Sequence, residues 1–312
     1  MKQRKIIIIV PVIFVIVNFI AFDKESTASV ITIPSQEFNN MLPSKELDTN
    51  TPFPMETPPF SHYLAPDVPK KKVQPLKLML SSEKRNKIID DDNWFIQNKL
   101  QLKTYQVPNP YQNLAGNLPS QIETTWKNLF ITSAFYDNSY IYCTYGAGFD
   151  EGYILRIYDA NSLNTVCFLD LTKFNNSPDL IGDYHDYRQQ QINWAIIKDN
   201  ILYFSMGRNI EAKGTYYKNA YITAINLSNK SIVWRSDPLI SNADNFIIID
   251  DVILCGYGYT GEADFLYQIN RSTGEIIDKI KLKTAPTYII DKDKKLYVRT
   301  YNTDYIFDIV TG

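Results

Sequence analysis

Four times between residues 134 and 301 an apolar run breaks at an acidic turn and resumes as a second apolar run. The copies are AFYDNSYIYCTYG (134–146), WAIIKDNILYFSMG (194–207), FIIIDDVILCGYG (246–258) and TYIIDKDKKLYVRTY (287–301). Asp-Asn, Asp-Asp and Asp-Lys between β-branched and aromatic runs predict tight hairpins. A second signature follows each hairpin: YILRIYDANSLNTVCFLDL (153–171), YITAINLSNKSIVWRSDPL (221–239), FLYQINRSTGEIIDKIKL (265–282) and YIFDIVTG (305–312). Each is a strand ending in Asp or Asn, and the first three continue into another strand. The side-chain oxygens of Asp159, Asn226, Asn270 and Asp308 can cap the turns they open. The unit predicted is a four-stranded antiparallel sheet, and the fold class an all-β protein in which such sheets stack radially as the blades of a β-propeller.

The second unit carries a family resemblance. Ala224, Asn226, Asn229, Lys230 and Trp234 fall on the spacing A-x-D-x-x-T-G-x-x-x-W, which resembles the repeat of pyrroloquinoline-quinone-type (quinoprotein-like) β-propellers. Asn226 stands for the family's Asp, and Asn229-Lys230 for its Thr-Gly. In the third unit Asn270, Thr273 and Gly274 match while Asp278 replaces the Trp. In the first, Asp159 matches while Leu163 and Cys167 replace Gly and Trp; the fourth supplies Asp308, Thr311 and Gly312. The resemblance covers residues 120–312 and implies a docking role for Trp234 between neighbouring blades. It implies, too, that an N-terminal strand completes the last blade. Residues 122–130 (IETTWKNLF) read as that strand, with Trp126 as its docking residue. Four units are visible, and residues 83–119 are the place for a degenerate fifth. Four or five blades are expected, as a closed or an incomplete ring.

Upstream the pattern changes. Lys2, Arg4 and Lys5 precede the 17 uncharged residues from Ile6 to Phe22, an apolar helix that predicts export of the chain beyond it. Residues 1–29 read either as a cleaved signal peptide or as a membrane anchor, so the product is secreted or membrane-anchored outside the cytoplasm. Nine of the 16 prolines lie between Pro34 and Pro75. Proline removes backbone donors and fixes φ, which predicts a disordered tether over 30–82.

Composition narrows the chemistry. A net charge of −2 offers no basic surface for nucleic acid, and 2 His with 3 Cys provide no zinc spacing. Neither Asp90-Asp91-Asp92 nor Asp291/Asp293 has the glycine and distal glutamate of a calcium loop, so no metal and no cofactor is expected; the chain also lacks the adjacent cysteines of the family's dehydrogenases. The cysteines read as core. The longest insertion, GDYHDYRQQQ (182–191), brings together Tyr184, His185, Asp186, Tyr187 and Arg188. It is the candidate binding loop, since rigid tyrosine rings give contact area at low entropic cost. No catalytic residue is assigned. The expected function is an exported interaction scaffold for a protein or glycan at the cell envelope, with an exported lyase or glycosidase using this loop or the ring centre as the alternative.

Overall fold

A computed structural model describes residues 50–86, 90–175, 177 and 190–310. The N-terminal segment 1–29 and the loop residues Tyr184, His185, Asp186, Tyr187 and Arg188 lie outside the described residues. Three strands, β1 (Phe53–Pro54), β2 (Tyr63–Leu64) and β3 (Lys77–Arg85), precede helix α1 (Asp91–Asn98) and the short β4 (Thr104–Tyr105) and β5 (Thr125–Trp126). A first sheet follows from β6 (Leu129–Tyr136), β7 (Tyr140–Gly146), β8 (Ile154–Asp159) and β9 (Thr165–Asp170). The second contains β10 (Gln191–Lys198), β11 (Ile201–Gly207), β12 (Tyr221–Asn226) and β13 (Ile232–Arg235). The third contains β14 (Ile247–Ile249), β15 (Val252–Tyr257), β16 (Phe265–Asn270) and β17 (Ile276–Lys281). The fourth contains β18 (Pro286–Lys292), β19 (Lys295–Thr300) and β20 (Thr303–Val310), completed by β3. The protein is thus mostly β, in four antiparallel sheets of consecutive strands.

Packing on both faces explains the apolar runs. Strands β7, β11 and β15 are buried almost throughout, because consecutive sheets stack face to face. Phe135, Leu155 and Leu169 of the first sheet share a core with Leu202, Phe204 and Ile225 of the second. Ile222 and Trp234 meet Ile253 and Ile269 of the third, whose Leu254 and Leu266 meet Leu296 and Phe307 of the fourth. A half-exposed sheet would alternate instead. The described residues of 83–119 form no further sheet: they supply the end of β3, α1 and β4. Helix α1 lies on the fourth sheet, where Trp94 stacks on Tyr288 at 6.3 Å, while β4 pairs with β6 of the first.

The turns repeat although their residues do not. Asp199-Asn200 and Asp293-Lys294 take positive φ at both positions, the backbone of type I′ hairpins. Asp159, Asn226 and Asn270 each accept from the backbone N–H two residues on. The residue four places after each anchor, Leu163, Lys230 or Gly274, has positive φ and donates its N–H back to the anchor's carbonyl. Asp308 pairs with Lys295 at 2.5 Å, and the end of the turn it would open lies outside the described residues. Gly274 is required on a second count. A Cβ there would lie 2.4 Å from the Trp234 ring. The Trp234 indole is buried on this turn and donates to the Arg271 carbonyl at 3.0 Å.

Two expectations fail. Residues 122–130 do not lie beside 305–312: β5 folds back on β6, and Trp126 packs on Phe168 at 5.4 Å within the first sheet. The strand beside β20 is β3, in register from Thr303↔Arg85 to Val310↔Lys77. The proline-rich run is also not a disordered tether from residue 50 onward. It passes the four sheets in chain order, as a strap. Strand β1 pairs with β9, and β2 with β13. Asn270 then donates to the Lys71 carbonyl, and Gln268 exchanges two hydrogen bonds with the Leu76 backbone. Ladder pairing over several residues begins only past Pro75, the last proline before β3, because proline cannot donate to a ladder.

Arg235 clamps the strap to the second sheet. Its buried guanidinium donates to the carbonyls of Pro58 (3.0 Å), Pro59 (3.2 Å) and Asn175 (3.0 Å), and it lies over the Tyr221 and Phe174 rings. Three charge-assisted bonds to carbonyls suit a planar fork and not an ammonium. Arg235→Lys should therefore lower stability by about 2–3 kcal/mol in urea unfolding and open residues 55–62 to protease. A variant as stable and as resistant as the parent would remove this role. At the repeated turn, Gly274→Ala should cost at least ~2 kcal/mol, from left-handed strain and the Trp234 clash. Lys230→Gly at the equivalent position should gain about 1 kcal/mol. Equal effects at the two positions would show that the turns are not equivalent.

Candidate functional site

The first strand of each sheet faces a common cavity. Each carries a disturbance at the same place, five or six residues before its hairpin Asp. In β6 the register shifts around Thr132, in β10 around Asn193 and in β18 around Thr287. In the third sheet the matching residue is Asp244, where the Asn242 and Ala243 N–H groups share the Gly256 carbonyl. A bulge re-aims a side chain and interrupts pairing. Here one polar residue per sheet, Thr132, Asn193, Asp244 and Thr287, borders the cavities. The Asp244 N–H donates to the Thr287 carbonyl at 2.9 Å, tying the third sheet to the fourth.

Two cavities of about 380 and 580 Å³ share Leu102, Phe135 and Trp194, so an apolar belt separates a chamber near Asp244 from one near the hairpin turns. Phe135 and Trp194 stack at 4.3 Å in that belt. Asp244 also borders a cleft of about 630 Å³ and a smaller pocket of about 190 Å³. Its side chain is open to these spaces although protein surrounds it. Burial pushes the Asp244 carboxyl up to about 6, against a hydrogen bond from Tyr288; Asp91 adds to the rise. The Asp91 carboxylate is held by Arg299, which also reaches Asp304 at 3.1 Å.

The cleft is walled by the 258–264 loop, the 283–287 link between the third and fourth sheets, and the Tyr301-Asn302 turn, all at the strand ends opposite the hairpin Asp turns. Its frame is fixed by internal bonds. Asn242 exchanges hydrogen bonds with Gly258, and Glu262 accepts from the Ala212 N–H and the Tyr257 hydroxyl. Lys283 is paired with Glu83 of β3. Asp264 is different: among the described residues no donor bonds its carboxylate, and burial, with Glu262 nearby, pushes its carboxyl up. No group of three or more metal-ligating side chains occurs among the described residues. Cys143, Cys167 and Cys255 are buried free thiols, and burial pushes Cys167 up to about 11, so they are not nucleophiles at neutral pH.

Of the sequence-predicted residues, Trp234 lies between the second and third sheets, where it lines a separate pocket of about 230 Å³, and Trp126 lies at the edge of the first; neither borders the cavities around Asp244. Gln190 and Gln191 are the described residues of the candidate binding loop; Arg208, which borders the smaller pocket, donates to the hydroxyl of Ser177, upstream of that loop, at 3.0 Å. Sequence reading missed Asp244, Asn193 and Asp264. Counting back from the hairpin Asp finds the first two.

Asp244 gives a pH signature. Its carboxyl is protonated up to about pH 6 in the folded chain and ionised above about 4 when unfolded. The folded state therefore binds more protons between these values, and stability falls as pH rises through that window. Asp244→Asn should be more stable than the parent at pH 7.5, and the difference should vanish below pH 4 in thermal melts. A difference independent of pH would contradict this.

No protein-family model matches the chain, and no curated protein does. Solved structures give faint likenesses. The computationally designed Ika8 protein is 11% identical, with 58% of this chain and 46% of that one covered at a TM-score of 0.34. BamB from Moraxella catarrhalis is 12% identical, over 55% and 56%, at 0.32. The AfRom2 CNH domain is 10% identical, over 59% and 52%, at 0.36. The chain spans about half the length of each of these structures. Likenesses at this level leave the functional reading to the residues themselves.

Proposed function

We propose that the chain is an exported β-propeller of the pyrroloquinoline-quinone-repeat kind, acting as a binding scaffold for a protein or glycan at the cell envelope. The four sheets are read as four blades whose first strands line the axis. The observation that carries a binding role is the set of bulged polar residues: Thr132, Asn193 and Asp244 border one cavity, and Asp244 and Thr287 open onto a loop-built cleft of about 630 Å³. That size suits a small ligand or a projecting segment. Loops on a rigid frame are where recognition resides. Export rests on the charged leader and the 6–22 apolar run; no described helix is long and apolar enough to cross a membrane. The 182–191 loop, with Tyr184, His185, Asp186, Tyr187 and Arg188, is proposed as a further part of the recognition surface on the strength of its composition alone.

One observation favours a second reading. A carboxyl raised to about 6, as at Asp244, suits a general acid, and an exported lyase or glycosidase would use it. Asp244→Asn would then abolish turnover while leaving ligand binding intact.

Two measurements test the proposal. A fusion of residues 1–80 to a reporter active only outside the cytoplasm should be active; a silent, stable fusion contradicts export. A photo-crosslinking residue at Thr260, in the cleft, should give adducts in intact cells, and one at Asp293, on the opposite ends of the strands, should not. Adducts at both positions or at neither would remove the cleft as the binding face.

A further inference from the structure

The cleft between the third and fourth sheets has a chemistry narrower than "protein or glycan", and a ligand assigned to it rests on the binding-scaffold reading. Its polar groups divide into two sets. Asn242 and Glu262 are consumed in holding the 258–264 loop, and Lys283 in its pair with Glu83. The rest keep free capacity toward the cleft. The Asp264 carboxylate is bonded by no described donor and feels only the charge of Lys281, so it can accept from two donors, as a pair of neighbouring hydroxyls supplies. The Asn302 carbonyl accepts from Thr284 and Thr303, which points the amide's two N–H donors the other way. Tyr301 borders the cleft and is 59% exposed as a residue, and Tyr259 lines the wall.

We propose that this cleft binds an uncharged oligosaccharide, with Asp264 and the Asn302 amide taking ring hydroxyls and the Tyr301 ring meeting a sugar face. Planar acceptors and donors beside an exposed aromatic ring match a ring that is polar at its edge and apolar on its face. The charge excludes the acidic glycans. Asp244, Glu262 and Asp264 face the space; the cations at hand are Lys283, already neutralised by Glu83, and Lys281, whose charge acts on Asp264. A uronate or phosphate would enter against three carboxylates, a cost like any like-charge contact.

Close approach shapes the cleft as well. A Cβ on Gly258 would fall 2.2 Å from the Asp264 carboxylate oxygen and 2.6 Å from the Ala285 backbone. Only glycine lets the loop, the carboxylate and the inter-sheet link share that space. Gly258→Ala should therefore displace Asp264 without removing it.

The test is calorimetric titration of the full chain with a chitin tetramer and with a galacturonate tetramer. The expected result is binding of the chitin tetramer alone, weakened about tenfold or more by each of Tyr301→Ala, Asp264→Asn and Gly258→Ala. Tyr111→Ala, an exposed tyrosine on the segment covering the first sheet, should bind like the parent, and circular dichroism confirms that each variant is folded. Chitin binding untouched by the three cleft variants overturns the site. Binding of the galacturonate instead overturns the ligand class. If neither sugar binds, the proposal fails, while the Thr260 crosslink independently decides whether the cleft is a binding face at all.

Discussion

Everything in the fold depends on a pairing between distant parts of the chain, that of β3 with β20. The fourth sheet receives only three strands from its own sequence repeat, and β20 would otherwise present a row of unpaired N–H and C=O groups. Strand β3 fills that row from Thr303↔Arg85 to Val310↔Lys77. The same pairing fixes the far end of the strap, so the proline-rich run is stretched along the sheets between its clamp at Arg235 and its anchor at β20. It also delivers Glu83 to Lys283, and so reaches the wall of the cleft. A segment that composition reads as a spacer is the piece that joins the two ends of the sheet array.

The cavities come from a second regularity. Stacked sheets bury both faces of their middle strands, so the cores between them are apolar and leave no place for chemistry. Polar side chains appear where the ladder is broken, at the bulge shared by the first strands. Thr132 is satisfied there by Thr144 at 2.9 Å. Burial raises the Asp244 carboxyl, against the hydrogen bond from Tyr288 of the next sheet, while Asp91 and Asp304 nearby are held as ion pairs with Arg299. The set of equivalent positions is thus a property of the repeated sheet, whereas the cleft beside Asp244 is built by the loops of the third and fourth sheets.

Much of this was legible in the sequence, for local reasons. Tight Asp turns force hairpins, and Asp159, Asn226 and Asn270 announce the next turn through their own side chains. Leu163 and Lys230 show that the left-handed position persists where glycine has been lost, so the repeat is stronger in backbone than in letters. The strap was not legible, because proline content argues against strands and is silent about two-residue pairings and carbonyls taken by Arg235. The sequence points to 122–130 as the closing strand because that run reads as an outer strand without a blade of its own. The true one lies past Pro75 and has no aromatic residue to mark it. The bulges are invisible to any periodicity, since they are its interruptions.

The central claim is that residues 77–85 complete the fourth sheet. Amide hydrogen exchange on the full chain tests it directly. The pairing predicts slow exchange over 77–85 in step with 303–310, at protection close to that of β19. Rapid exchange across 77–85, with 303–310 unprotected or protected independently of it, would contradict the pairing on which the rest is built.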